Sequence, residues 1–142
     1  KKKKMEDCTF YQDIYSGILS NTNPTLNQIK ESNDSEDKKQ HNIKLFTNGI
    51  KNALEFCLGN KQIHLELEEL AKEVEENPRA PNKKICCTCK QTKKYRDACV
   101  FEFGPGAKIC DPMIAAHNMC LIDEGFPVKH IYPHGLPKKD IL

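Results

Sequence analysis

"KKICCTCKQTKKYRDAC", residues 83–99, carries four cysteines in seventeen residues, two of them adjacent. Cys89 and Cys99 are separated by nine residues, and so are Cys110 and Cys120 further on. On a helix, ten steps advance about 15 Å and bring a side chain to within about 80° of its starting direction. Each pair therefore places one sulfur near either end of a three-turn segment, on broadly one side. Between the segments lies "EFGPGAK", residues 102–108, whose Gly-Pro-Gly core makes a turn. Folded back there, the segments form an antiparallel hairpin in which Cys99 faces Cys110 and Cys89 faces Cys120. The pairing of Cys89 with Cys99 fails, because about 15 Å along a helix exceeds the roughly 7 Å between Cα atoms that a disulfide tolerates. Cys89 with Cys110 fails for a similar reason, and the nested pairing remains.

Cys86 and Cys87 are left over. Adjacent Cα atoms lie about 3.8 Å apart, below the usual disulfide range of about 4.4–6.8 Å, so a bond between them is disfavoured. As thiolates they present two soft ligands to one ion, and soft sulfur selects Cu(I). Lys83, Lys84 and Lys90 are close in sequence and favour the thiolate form. Zinc is the chemical rival. Cys86 and Cys89 make a C-x2-C knuckle, but the partner half is C-x9-C, a poor match to zinc spacings. The plain alternative for the pair is structural thiols. His117, three residues before Cys120, reads as a packed or surface histidine rather than a ligand, as do His41, His64, His130 and His134. Met113 and Met119 read as core.

Upstream, apolar residues at Tyr11, Ile14, Tyr15, Ile18 and Leu19 repeat with helical spacing over residues 8–20. Residues 21–40 are polar and read as a linker, with a short helix after Pro24. A further helix over 42–58 carries Ile43, Phe46, Ile50, Ala53, Leu54 and Cys57 on one face and stops at Gly59. Another over 61–76 sets Ile63, Leu67, Leu70 and Val74 against an acidic outer face. Cys8 and Cys57 read as buried thiols on these apolar faces. "NPRAPNKK", residues 77–84, is a linker that lets the hairpin stand apart. In the hairpin, helices are expected over about 88–102 and 111–124, with Asp111 as N-cap, Pro112 in the first turn and Gly125 as the stop. The tail from Phe126 onward holds three prolines and reads as irregular.

Composition sets the bounds. The chain has 142 residues, 38% hydrophobic and 30% charged, with no tryptophan and a net charge of +2; the mean hydropathy is −0.66. So weak a charge does not argue for nucleic acid. No apolar run approaches the roughly 20 residues of a membrane span. The leading "KKKKMEDC" is not an Arg-rich transit peptide and reads as a solvated, mobile terminus.

"CCTCKQTKKYRDAC", the turn, Cys110, and then "AAHNMC" and "EGF" resemble the cytochrome c oxidase copper chaperone family. The likeness covers residues 83–128. It implies an all-α, disulfide-stapled helical hairpin of the coiled-coil-helix-coiled-coil-helix type, here preceded by an N-terminal helical extension. It implies a non-enzymatic Cu(I) carrier with Cys86 and Cys87 as ligands, located in the mitochondrial intermembrane space. The implied partners are a disulfide relay oxidoreductase and the copper-accepting assembly factors of cytochrome c oxidase. The chain thus divides into a helical extension at 1–80, a chaperone-like domain at 83–128 and a tail at 129–142. The short chaperones have no counterpart to the extension. Phe46, Ile50, Leu54, Leu67 and Leu70 together exceed what two helices can hide in each other, so another protein is expected to cover them. That gives the alternative function: a resident accessory subunit of cytochrome c oxidase or a respiratory supercomplex, docked through residues 1–80.

Overall fold

The computed structural model describes residues 2–77 and 89–128. The sequence elements that fall elsewhere, Cys86 and Cys87 with their neighbouring lysines, most of the proline-bearing linker, and the tail with His130 and His134, lie outside the described residues. Six helices follow one another: α1 (Lys2–Leu19), α2 (Pro24–Lys30), α3 (Glu36–Cys57), α4 (Lys61–Glu76), α5 (Lys90–Phe103) and α6 (Asp111–Asp123), the last preceded by a 3-10 turn at Lys108–Cys110. The described chain is all-helical.

Local chemistry sets the boundaries. Asn23 caps α2, its side chain accepting from the Leu26 amide at 3.0 Å, with Pro24 in the first turn. Ser35 caps α3 by accepting from the Lys38 amide, and Glu36 and Asp37 follow in the favourable first turn. These two caps lie inside the stretch 21–40 that reads as a linker. Its polar residues are capping and solvent-facing residues of real helices, and α3 begins seven residues before its first apolar position, Ile43. Gly59 closes α3 with φ 74, a left-handed conformation that costs glycine nothing. The Asn60 amide then returns to the Glu55 carbonyl, and the Asn60 side chain caps α4. Cys110, rather than Asp111, is the N-cap of α6, one residue earlier than expected. Lys2, Lys3 and Lys4, expected as part of a mobile end, open α1.

The largest departure concerns packing. The hairpin does not stand apart. Phe46, Ile50, Ala53 and Phe56 of α3, Tyr11 of α1 and Leu67 of α4 share one core with Met113, Ala115, Ala116 and Ile122 of α6. The surface that covers Phe46, Ile50 and Leu67 is therefore this chain's own hairpin, and the argument for an external protein over these residues falls. The physical reason lies in α6. A cluster of small and flexible side chains (Met113, Ala115, Ala116) leaves a shallow face on which α3 can lie closely, and α1 and α4 flank it. Polar contacts fix the same seam. Tyr11 donates to the Ile109 carbonyl, and Tyr95 of α5 donates to Thr25 of α2 at 3.0 Å. Phe46 and Tyr95 also meet ring to ring, their centroids 5.0 Å apart.

Candidate metal centre and its disulfide frame

Three disulfides are formed among the described residues. Cys89 joins Cys120 with Cα atoms 6.2 Å apart, and Cys99 joins Cys110 at 5.8 Å. These are the nested bridges that antiparallel geometry demands, one beside the turn and one at the open end. The third joins Cys8 to Cys57, with Cα atoms 5.6 Å apart and a separation of 49 positions in the sequence. The reading of those two cysteines as separate buried thiols is thereby corrected. Each stood on an apolar helical face, but sequence alone did not bring the two faces together. Packing α1 against α3 does so.

The bridge at the open end frames the entry to α5. Cys89 has φ 58 and ψ 46, the left-handed region, and it is the N-cap of α5 without a side-chain cap bond. Few residues with a β-carbon adopt that conformation unless their surroundings impose it. Here Thr92, one turn on, donates its hydroxyl proton to the Cys89 carbonyl at 3.0 Å. The same carbonyl accepts from the Lys93 amide. Thr92 Oγ1 lies 2.8 Å from His117 Nδ1. A hydroxyl has one proton, and Thr92 gives it to the carbonyl, so His117 Nδ1–H is the donor in this second bond. Thr92 and His117 are both buried. Burial pushes the His117 pKa down to about 4, with Arg96 and Lys93 adding to the effect and Asp97 opposing it. The ring is accordingly neutral, and it serves as a hydrogen-bonded strut between α6 and α5 rather than as a ligand. His64, at the α3–α4 end, is also held neutral by desolvation, which Glu68 partly opposes. Met113 is core, as expected, and Met119 packs at its edge.

Sequence reasoning did not single out Thr92 or Gly49. Thr92 follows Cys89 by three residues, the spacing of a side chain that folds back to a cap carbonyl, and that signal was available. Nothing in the sequence pointed to Gly49, whose role depends on which helix crosses it.

Among the described residues, no three His, Cys, Asp or Glu side chains cluster in a way that could hold a metal ion. Eight cysteines are present and three bridges use six of them, so Cys86 and Cys87 are the two not consumed. Two adjacent thiols suit a soft, low-coordinate ion and do not suit Ca²⁺ or Mg²⁺, which require oxygen.

A helical hairpin stapled by two nested disulfides, with two adjacent cysteines just before its first helix in sequence, defines a small disulfide-stapled helical class. Comparison with known proteins gives the family. The family model described as "Cytochrome C oxidase copper chaperone (COX17)" matches residues 81–128. "Cytochrome c oxidase copper chaperone 2" of Arabidopsis thaliana is 45% identical over 62 residues, which span 44% of this chain and 83% of that protein. "Cytochrome c oxidase copper chaperone 1" of the same plant is 52% identical over 48 residues, 34% of this chain and 62% of that relative. The "Cytochrome c oxidase copper chaperone" of Dictyostelium discoideum is 47% identical over 49 residues, 34% of this chain and 78% of its own length. The chain belongs to the cytochrome c oxidase copper chaperone family, and it adds α1–α4 to the matched region. No solved structure matches it. No helix among the described residues is long and apolar enough to cross a membrane.

Proposed function

We propose that the protein is a Cu(I)-binding metallochaperone that delivers copper for cytochrome c oxidase assembly in the mitochondrial intermembrane space, with Cys86 and Cys87 as the ligands. The observation that carries this reading is the accounting of sulfur: three disulfides take six cysteines and leave the vicinal pair for metal. Two thiolates satisfy a linear soft ion and leave it open to attack by a third thiolate from an acceptor. Transfer is then ligand exchange, with no change in oxidation state and no catalytic base. The lysines near the pair in sequence, of which Lys90 is exposed at the first position of α5, favour the thiolate and an acidic acceptor surface. The partners in this reading are the copper-accepting assembly factors of the oxidase, together with an oxidoreductase that installs the disulfides.

The reading as a resident subunit of the oxidase or a supercomplex drew its support from an uncovered apolar extension. That support is gone, because the hairpin itself covers Phe46, Ile50 and Leu67. The exchange reading stands on the cysteine pair alone.

The test is substitution of Cys86 and Cys87 together by Ser in the full chain. Stoichiometric Cu(I) uptake, followed by competition with a chromogenic Cu(I) chelator, is expected to vanish while helical content is unchanged. Undiminished uptake by the double variant would reject the assignment.

A further inference from the structure

Two of the three bridges meet across the seam between extension and hairpin. α1 touches the hairpin through neighbouring residues. The rings of Phe10 and Phe103 meet edge to face with centroids 5.4 Å apart, and the Tyr11 hydroxyl donates to the Ile109 carbonyl. Phe10 and Tyr11 also meet edge to face, at 5.0 Å. On the extension side, Cys8 precedes Tyr11 by three residues, so the two share one face of α1. On the hairpin side, Cys99 precedes Phe103 by four residues on α5, and Cys110 follows Ile109 directly. The contacts of α1 therefore fall within one helical turn of both ends of the Cys99–Cys110 bridge and of one end of Cys8–Cys57. At the open end, beside the Cys89–Cys120 bridge, the extension instead presents α3, where no β-carbon fits between Gly49 and Thr92 Cγ2.

We propose that the Cys8–Cys57 and Cys99–Cys110 bridges form a coupled redox pair: closing either one favours closing the other, through the docking of α1 on the turn of the hairpin. The bistable element is α1, docked or lifted, and both bridges bias it toward docked. Cys8 reaches Cys57 while α1 lies along α3. Phe10 and Tyr11 hold it there when Phe103 and Ile109 are in place, and the Cys99–Cys110 bridge keeps those two residues together across the turn. All four sulfurs belong to buried residues, so thiol attack on Cys8–Cys57 requires α1 to lift. Closing that bridge removes two protons and two electrons from the Cys8 and Cys57 thiols. A small disulfide such as oxidised glutathione takes them and leaves as two thiols. The coupling needs no metal and stands apart from the copper reading.

The full chain is equilibrated in mixtures of reduced and oxidised glutathione, with Cys86→Ser/Cys87→Ser as the background so that no unbridged thiol takes part. Thiols are trapped by alkylation, and each bridge is counted by peptide mapping. Cys99→Ala/Cys110→Ala should shift the Cys8–Cys57 equilibrium about tenfold toward the thiols, the scale of one buried hydrogen bond and one aromatic pair. Cys8→Ala/Cys57→Ala should shift the Cys99–Cys110 equilibrium by the same factor, because linkage is reciprocal. In a Phe10→Ala/Tyr11→Phe chain, removing either bridge should leave the equilibrium of the other unchanged. If Cys99→Ala/Cys110→Ala does not fold, the Cys8→Ala/Cys57→Ala chain decides. Equal equilibria with and without the partner bridge overturn the proposal. So does a shift that survives Phe10→Ala/Tyr11→Phe, because it then reports general loosening rather than the docking of α1.

Discussion

Tyr11 of α1 donates its phenolic proton to the main-chain carbonyl of Ile109, just before the helix that closes the hairpin. The two residues are 98 positions apart, and the tyrosine is fully buried. One bond thus ties the beginning of the extension to the turn of the disulfide-stapled module. Tyr11→Phe keeps the ring and leaves the carbonyl short of a donor. The expected cost is about 1–2 kcal/mol, read as a shift of the denaturant midpoint with little change in slope.

Cys8 and Cys57 close a long loop by joining α1 to α3. Replacing both by Ala should cost about 2–4 kcal/mol. Peptide mapping under non-reducing conditions should still recover Cys89 with Cys120 and Cys99 with Cys110. A reshuffled pattern would show that the extension's bridge directs the others.

Stability should fall as pH drops through the range between the ordinary histidine value and that of His117. The folded-state value of His117 lies at about 4, below the ordinary 6.5. The unfolded chain therefore binds more protons in that window, and stability rises with pH across it. The contribution is complete above about 6.5 and is lost as pH falls toward 4. His64 acts in the same direction. Urea unfolding at pH 4.5 and 7 checks the sign, and His117→Gln should flatten the dependence.

Phe46 lies under both modules, its ring tilted against that of Tyr95 and buried in the common core. Phe46→Ala should destabilise by about 3–5 kcal/mol. Loss of amide protection should appear in α6 as well as α3, and circular dichroism and near-ultraviolet signals should report one coincident transition. Two separated transitions would mean that extension and hairpin fold independently.

The hairpin was legible because its constraints are local and chemical. Equal spacings between Cys89 and Cys99 and between Cys110 and Cys120, with Gly104 and Gly106 between, leave one antiparallel arrangement. The helices of the extension were legible where apolar residues recur, as from Ile43 to Cys57. They were missed where polar caps such as Asn23 and Ser35 began helices whose outer faces are almost wholly polar. Tertiary relations were not legible. The Cys8–Cys57 bridge, the cover that α6 gives to Phe46, and the use made of Gly49 all depend on which faces meet. A period of 3.6 specifies a face and not its partner. The vicinal pair is proposed from sequence chemistry, a spacing too short for an ordinary bridge and two soft donors, and it lies outside the described residues.

None of the three bridges crosses from the first four helices to the last two. Among the described residues each part is covalently closed on itself, and the peptide chain through residues 78–88 joins the two. Tyr11, Phe46 and Gly49 hold the seam by contact alone, so it can part and re-form without any electron changing hands. A single protease cut within 78–88 should therefore release two fragments on a non-reducing denaturing gel, whereas the same cut should leave one particle in native buffer.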